Sequence, residues 1–252
     1  MRYVRPFDPD LLAAGEASAW LLAPDEDAGC TIRVCKGGGT KSGSIAEPFE
    51  RFALILAGEA TLRSAAGTTT ARQDDLIFVP AHQSASVSGT ASTAWIEICA
   101  TVDGSSATTK GACRVVKVDE SKFSVIGGLA YLSLIDRDCG SGSLRMNFAK
   151  LQPDGASPDF HIHQFNQIYL ILEGEETVDI GRKRFRPSGY SLVYLPAGIV
   201  HRQFNASKKP VKLATLLVPE PQRGEIFDFA VTIHDREGEV MTQAQAQAAA
   251  QA

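Results

Sequence analysis

Short apolar runs alternate along the chain with clusters of Gly, Pro, Ser and Thr. One run, Ile168 to Leu172, is rich in β-branched and aromatic residues, as strands usually are. No apolar run approaches the length of a membrane span. The pattern therefore predicts an all-β fold made of many short strands.

The same apolar pattern occurs twice. The sequence LILEGEET starts at Leu170, and LILAGEAT starts at Leu54. These two segments lie 116 residues apart, as do Pro196 and Pro80 in the turns that follow. Two landmarks that share one offset predict a tandem duplication. We expect an N-terminal domain over 1–105, a C-terminal domain over 106–240 and an Ala/Gln-rich tail over 241–252, with a Ser/Thr/Gly-rich linker over 101–112.

Three of the five histidines lie in two short segments. His161 and His163 are two residues apart and share one face of a strand, and Gln167 shares that face if the strand is continuous. His201 follows a Pro-x-Gly turn on a separate strand. Imidazoles are good ligands for Fe, Mn, Ni, Cu and Zn. We expect one divalent transition metal per chain, bound by His161, His163 and His201. Gln167 is either a fourth ligand or a hydrogen-bond partner of a metal-bound water or substrate.

The charge of this ligand set indicates what the site binds. Three neutral imidazoles and one amide leave both positive charges of a divalent metal uncompensated. Such a site favours an anionic ligand, such as a carboxylate or an enolate, at its open positions.

These residues resemble the two sequence motifs of the cupin family. The first motif, G-x5-H-x-H-x3-E-x6-G, is matched by Gly155, His161, His163 and Gly174, with Gln167 in the glutamate position. The second half of the motif G-x5-P-x-G-x2-H-x3-N is matched, but Gly189 lies one residue too early for its first half. The matching residues are Pro196, Gly198, His201 and Asn205. The resemblance implies two tandem cupin barrels (double-stranded β-helices, or jelly rolls), a bicupin, with the metal inside the second.

The first repeat lacks these ligands. The positions 116 residues before the four expected ligands hold other residue types, namely Ile45, Glu47, Arg51 and Ala85. We expect that the N-terminal barrel has lost its metal site and that it has a structural or oligomerising role. A weak site formed by Glu47, Glu50 and His82 is the alternative.

Composition narrows the range of partners. The net charge is −4 without a Lys/Arg cluster, which argues against nucleic acid. The five cysteines form no CxxC pair, and the first residues do not resemble a signal peptide. We expect a cytoplasmic protein with free thiols, a small-molecule substrate, no membrane partner, and a homodimer or higher homo-oligomer.

Tyr169 and Gln203 share face parity with Gln167 and His201, if those strands are regular, and are candidates for contact with the metal ligands or the substrate. Arg145 and Asn147, on the strand-like segment Leu144–Phe148, are candidates for binding a substrate carboxylate in the same barrel. The resemblance leaves three function classes open. The first is a metal-dependent enzyme of dioxygenase type, or of isomerase type like the bacilysin-pathway bicupin isomerase, which has a glutamine in the glutamate position. The second is a hydrolase similar to ureidoglycine aminohydrolase, whose ligand pattern differs from this one. The third is a non-catalytic ligand-binding cupin.

Overall fold

The computed structural model describes residues 3–9, 18–37, 46–102, 111–155, 159–222 and 229–232. These residues form 21 strands and two short 3-10 helices, Pro24–Glu26 and Glu120–Lys122. The prediction of an all-β fold is confirmed. None of the helices described has the length and apolar character that crossing a membrane requires. The tail over 241–252 and most of the linker over 101–112 lie outside the described residues.

A six-stranded and a three-stranded antiparallel sheet form the first barrel. The large sheet has the order β10-β7-β4-β9-β3-β2 and consists of β2 (Ser18–Leu22), β3 (Cys30–Lys36), β4 (Phe49–Ala57), β7 (Leu76–Val79), β9 (Ala94–Thr101) and β10 (Arg114–Val116). The small sheet has the order β6-β5-β8 and consists of β5 (Glu59–Ser64), β6 (Gly67–Arg72) and β8 (Ala85–Gly89).

A seven-stranded and a five-stranded antiparallel sheet form the second barrel. The large sheet has the order β1-β18-β15-β20-β13-β12-β11 and consists of β1 (Val4–Pro6), β11 (Ser124–Ile126), β12 (Leu129–Ile135), β13 (Arg145–Leu151), β15 (Asn166–Glu173), β18 (Ser191–Leu195) and β20 (Val211–Val218). The small sheet has the order β17-β16-β19-β14-β21 and consists of β14 (His161–Ile162), β16 (Thr177–Ile180), β17 (Lys183–Phe185), β19 (His201–Phe204) and β21 (Phe229–Ala230).

The two barrels repeat the same strand order. The series β7-β4-β9-β3 of the first large sheet corresponds to β18-β15-β20-β13 of the second, and β6-β5-β8 corresponds to β17-β16-β19. Equivalent strands lie about 116 residues apart in sequence, as the repeat predicted. Gly58 directly follows β4, and Gly174 directly follows the equivalent strand β15. Both adopt a left-handed φ, which glycine tolerates better than other residues. The fold is that of two tandem cupin jelly rolls.

In each large sheet, one edge strand comes from the other half of the chain. β1, from the start of the chain, pairs with β18, and β10, from the start of the second repeat, pairs with β7. Arg5 of β1 holds this arrangement, because its guanidinium binds both Glu26 and the carbonyl of Leu21 in the first half. The domain ranges 1–105 and 106–240 remain a prediction, and the strand pairing crosses that boundary in both directions.

A layer of apolar side chains packs the two large sheets back to back. Alternate residues of each strand enter this layer, for example Phe52 and Leu54 of β4 and Ile168 and Leu170 of β15. The residues between them face the barrel interiors, which form two separate clusters. Period-two alternation therefore gives each large-sheet strand one face in the shared layer and one face in its own barrel.

One carboxylate crosses this layer. Glu50 of β4 is fully buried and accepts hydrogen bonds from Ser141 Oγ (2.8 Å), the amide of Gly142 (2.8 Å), and the amide (3.3 Å) and hydroxyl (2.5 Å) of Ser143. A buried charge is tolerated only where such donors replace its water shell. Glu50 is therefore a polar connection between the two halves.

Glu50→Gln should lower the free energy of unfolding by about 2–3 kcal/mol, because the amide NH₂ then faces the backbone N–H of Gly142 or of Ser143, which can only donate. Glu59→Gln is the matched control, since Glu59 forms an exposed pair with Arg72 and should cost less than about 1 kcal/mol. Urea denaturation of both variants measures the difference. Equal losses would show that Glu50 is not the connection described.

Candidate metal centre

The three histidines of the motifs meet inside the second barrel. His161 lies on β14, His163 directly follows that strand, and His201 opens β19. His161 and His201 are register partners across the pairing of β14 with β19. The ring centroids of the three imidazoles lie 4.4 to 4.9 Å apart, and all three residues are buried.

Each histidine offers a ligand atom to one common point. The three ligand atoms all lie within 4.8 Å of one another, and this is the only group of three or more His, Cys, Asp or Glu ligands found among the described residues. A buried cluster of imidazoles with no carboxylate partner is suited to a transition metal rather than to Ca²⁺ or Mg²⁺.

Backbone carbonyls fix the orientation of two of the rings. His161 Nδ1 lies 2.7 Å from the carbonyl oxygen of Asp159, and His201 Nδ1 lies 3.0 Å from that of Ile199. A carbonyl only accepts, so each Nδ1 carries the proton and each Nε2 keeps its lone pair for a metal. Burial, with a smaller contribution from the two other histidines, lowers the pKa of His201 to about 3. His201 is therefore neutral at physiological pH, as a ligand must be.

Gln167 completes the cluster. Its Oε1 lies 3.0 Å from His163 Nε2 and 3.0 Å from His201 Nε2. His201 Nε2 and the amide oxygen are both acceptors, so at this separation they repel unless a cation lies beside them. Two ligands about 2.1 Å from a metal and at a right angle to each other are about 3.0 Å apart. The donor set therefore fits a divalent metal held by three imidazoles and one amide oxygen.

The Pro-x-Gly turn fastens the His201 strand to the other ligands. Gly198 has a φ of +78°, which favours glycine, and its amide donates to the carbonyl of His163 at 2.8 Å. The amide of Ala197 donates to Asn166 Oδ1 at 3.0 Å. The turn therefore sets the distance between His201 and the segment that carries His163.

The last motif residue, Asn205, is structural. It is buried, its Nδ2 donates to the carbonyls of Leu151 (3.0 Å) and Lys209 (2.8 Å), and its Oδ1 accepts from the amide of Ser207 at 2.9 Å. These bonds hold the loop after β19 in place.

Two supports of the cluster were not found from the sequence. Phe165 stacks on the ring of His163, with centroids 4.6 Å apart and an interplanar angle of 15°. Arg202, next to His201, binds Asp179 on the neighbouring strand and lies over Phe160, 4.4 Å from the ring centroid. Aromatic and Arg residues beside the motif histidines were the signal, but only the strand pairing shows what they contact.

Of the residues proposed for substrate contact, Tyr169 lies nearest to the ligands. Its hydroxyl donates to Gln167 Oε1 at 3.0 Å. Gln203 is buried two residues beyond His201, and its Oε1 has no hydrogen-bond partner among the described residues.

Arg145 and Asn147 lie further along the same inner surface. Arg145 Nε donates to Asn147 Oδ1 at 3.2 Å, and Asn147 Nδ2 donates to Thr215 Oγ1 at 3.3 Å. Leu217 of β20 is the register partner of both Arg145 and Gln167, so Arg145 shares a row with Gln167 two strands away. Two strand spacings correspond to about 10 Å.

A buried acid beyond the ligands escaped the sequence analysis. Glu176 is fully buried, and neither of its carboxylate oxygens has a hydrogen-bond partner among the described residues. Burial raises its pKa to about 8, so the side chain is a neutral carboxylic acid at physiological pH. Its equivalent in the first barrel is Ala60, which shows that the acid is not needed for closing this fold.

The equivalent positions in the first barrel hold a different arrangement. Arg51, at the position of Gln167, donates from Nη2 to the carbonyl of Ala85, which stands at the position of His201, at 2.8 Å. Ile45 lies outside the described residues. The alternative metal site of Glu47, Glu50 and His82 is not formed, because the Glu50 carboxylate faces Ser141 and Ser143 across the shared layer.

With this geometry in view, the comparisons with known proteins agree on the fold. Residues 147–219 match the family described as Cupin domain, and this match runs from within β13 to the end of β20. It includes all four positions of the cluster, namely His161, His163, Gln167 and His201. No curated protein is similar enough in sequence to count as a relative. The fold, the motif spacing and this match together show that residues 147–219 are similar to a cupin domain.

Solved structures extend the likeness to both barrels. A cupin 2 conserved barrel domain protein from Leptotrichia buccalis is 16% identical, with a TM-score of 0.65 over 86% of this chain and 98% of that one. Salicylate 1,2-dioxygenase from Pseudoaminobacter salicylatoxidans, solved as adducts with gentisate, is 11% identical, with a TM-score of 0.66 over 83% and 76%. Oxalate decarboxylase from Lactobacillus farciminis, as a formate complex, is 12% identical, with a TM-score of 0.57 over 80% and 78%. At these identities the likeness shows the fold alone.

His163→Ala should abolish stoichiometric metal binding, because it removes one of the imidazoles that converge on the site. His82→Asn is the matched control, since this exposed histidine lies in the first barrel and outside the cluster. Elemental analysis of protein purified without a polyhistidine tag provides the measurement. Full metal content in His163→Ala would refute the site.

Glu176 should make the protein less stable as the pH rises. The unfolded carboxyl ionises at its ordinary pKa of 4.5, whereas the folded one keeps its proton up to about 8. Between these values the folded state binds more protons, so the free energy of unfolding falls by up to about 1.4 kcal/mol per pH unit. Denaturation of metal-free protein from pH 5 to 8 should show this contribution in the wild type and in Glu175→Gln, an exposed control. It adds to an opposite slope below about pH 6.5 that the lowered pKa of His201 gives to every variant. Glu176→Gln should remove the Glu176 contribution, and an unchanged slope in that variant would contradict the assignment.

Proposed function

We propose that this protein is a metal-dependent enzyme whose small anionic substrate chelates the metal inside the second barrel. The observation that carries the proposal is the convergence of His161, His163, His201 and Gln167, four neutral donors, at one buried point. A divalent cation there keeps its full charge in a region of low dielectric. A ligand that brings one or two negative oxygens compensates that charge better than a neutral one.

Arg145 supports an anionic substrate independently of the metal. Its row on the inner surface passes through Leu217 to Gln167, and Asn147 Oδ1 accepts from its Nε at 3.2 Å. A guanidinium oriented in this way can bind a second acidic group of the substrate through its remaining N–H groups. We assign Arg145 to substrate binding.

Tyr169 is assigned to positioning. Its hydroxyl holds a proton at Oη and donates it to Gln167 Oε1 at 3.0 Å, which fixes the amide oxygen towards the histidines. Gln203 presents the unpaired acceptor Oε1 on the same strand as His201, where it can receive a donor from a substrate or a water molecule.

The reaction class that we favour is oxygenation, with isomerisation as the second candidate. When bound, iron in a site of imidazoles supplies Lewis acidity and one-electron chemistry with O₂. Salicylate 1,2-dioxygenase, whose structure was solved as adducts with gentisate, shares the fold of this chain. A chelating aromatic or dicarbonyl carboxylate therefore represents the substrate class best.

The test measures O₂ consumption by protein loaded with Fe(II), with gentisate, catechol and a β-diketone as probes. Tyr169→Phe should lower kcat about tenfold, because it removes the hydrogen bond that holds the Gln167 amide in position. Its metal content should stay near that of the wild type, because all four proposed metal ligands remain. Tyr194→Phe is the matched control, since Tyr194 packs in the layer between the large sheets and should keep full activity.

The outcomes separate the candidate functions. O₂ uptake that disappears in His163→Ala supports the oxygenase. Substrate turnover without O₂ uptake favours the isomerase, ammonia release from ureidoglycine favours the hydrolase, and tight binding without turnover favours the ligand-binding cupin. Any of the last three results overturns the oxygenase assignment.

A further inference from the structure

The mouth of the first barrel encloses a cavity of about 530 Å³. This volume falls within the range of about 300–1,000 Å³ that is common for small-molecule sites. Its wall combines charged and aromatic side chains, among them Trp20, Arg33, Glu47, Phe49, Arg51 and Glu97. None of His161, His163, Gln167 and His201 lines it, so it is separate from the centre described above.

Arg51 provides a fixed positive charge in this cavity. It is only 7% exposed and stands at the sequence position that Gln167 occupies in the second barrel. Its Nη2 donates to the carbonyl of Ala85 at 2.8 Å, which anchors the guanidinium at the position that corresponds to His201. The first barrel thus places a guanidinium where the second gathers its metal ligands. A buried guanidinium is suited to bind a carboxylate.

The acidic groups of the cavity show that a simple anion does not match it. Asp27, Glu47 and Glu97 line the same space as the two arginines. Arg33 is committed to Glu97, with its Nε 2.9 Å from Glu97 Oε1, and its guanidinium lies 5.6 Å from the centroid of the Trp20 ring. With that pair neutralised, Arg51 faces the acids Glu47 and Asp27 in one cavity. A matching ligand carries both signs of charge.

The remaining surfaces favour an apolar group between the charges. Trp20 is 53% exposed, and Phe49 is partly buried on β4, two residues before Arg51. An exposed tryptophan at the edge of a cavity loses unfavourable contact with water when a ligand covers it. Burial raises the pKa of Cys99, which also lines the cavity, to about 12, so its thiol is protonated and adds no charge to the cavity.

We propose that the first barrel binds a zwitterionic small molecule of the amino-acid type, with its carboxylate on Arg51, its ammonium on Glu47 and its apolar side chain against Trp20 and Phe49. The site requires no metal and is independent of the function proposed for the second barrel. The first barrel is then a ligand-binding domain, in addition to the structural role expected from its missing metal ligands.

The experiment is calorimetric titration of metal-free protein with L-phenylalanine, L-leucine and L-methionine, followed by two analogues of L-phenylalanine. 3-Phenylpropanoate keeps only the carboxylate, and 2-phenylethylamine keeps only the amine. At least one amino acid should bind with a Kd below about 10 mM, and both analogues of L-phenylalanine should bind at least about tenfold more weakly than L-phenylalanine itself. Quenching or a blue shift of tryptophan fluorescence on binding, absent in Trp20→Phe, should locate the ligand in this cavity.

Two variants test the proposed carboxylate and ammonium contacts separately. Arg51→Gln, which installs the residue of the second barrel, should weaken amino-acid binding about tenfold or more. Glu47→Gln, at a partly exposed position that tolerates an amide, should weaken L-phenylalanine but not 3-phenylpropanoate, and it provides the test if Arg51→Gln does not fold. His163→Ala should leave the binding unchanged.

Three results would overturn the proposal. These are no saturable binding of any of the three amino acids, equal affinity for L-phenylalanine and either analogue, and unchanged affinity in both Arg51→Gln and Glu47→Gln. Loss of binding in His163→Ala would place the ligand in the second barrel and would equally refute it. None of these results depends on whether the second barrel is an oxygenase.

Discussion

An apolar layer lies between the two large sheets, and the geometry of both barrels depends on it. The strands β4 and β15 each send alternate side chains into this layer, so their positions are fixed from behind. Arg51 and Gln167 are the residues that these strands turn towards their own barrel interiors. The shared layer therefore holds the two backbones in equivalent positions, while the inner faces remain free to carry different chemistry.

The inner faces diverge at the equivalent positions. The second barrel gathers neutral donors, which suit a divalent cation, and burial keeps its Glu176 protonated. The first barrel holds a permanent guanidinium in Arg51 and balances it with acids around an open cavity. On our proposals both barrels hold positive charge inside, and only the second barrel requires a metal for it. This contrast explains how a duplicated fold can offer two kinds of binding site.

Much of this arrangement could be predicted from the sequence, because it is encoded locally. The all-β fold follows from the apolar runs, and the repeat follows from two landmarks with one offset. The meeting of His161, His163 and His201 follows from period-two alternation and the Pro-x-Gly turn. Gln167 was open as a ligand, and the 3.0 Å distances to two imidazoles place its amide oxygen in the cluster.

The remaining features depend on contacts between distant segments, which no local pattern encodes. The strands β1 and β10 are three residues long, too short for a periodic signal, and each pairs in the half of the chain that it does not belong to. Glu50 is an acid on a buried strand, and only its partners about 92 residues away explain it. The carbonyls that fix the tautomers of His161 and His201 are local, two residues away at Asp159 and Ile199, but a contact to a backbone atom cannot be read from residue types.

The most direct test of the central claim is X-ray absorption at the metal edge of protein loaded to saturation, combined with metal counting per chain. The account predicts one metal per chain, with scattering from three imidazoles and only nitrogen and oxygen atoms as direct ligands. In Gln167→Ala the spectrum should lose the contribution of the amide oxygen. A second metal per chain, sulfur in the first shell, or a spectrum without imidazole scattering would contradict it.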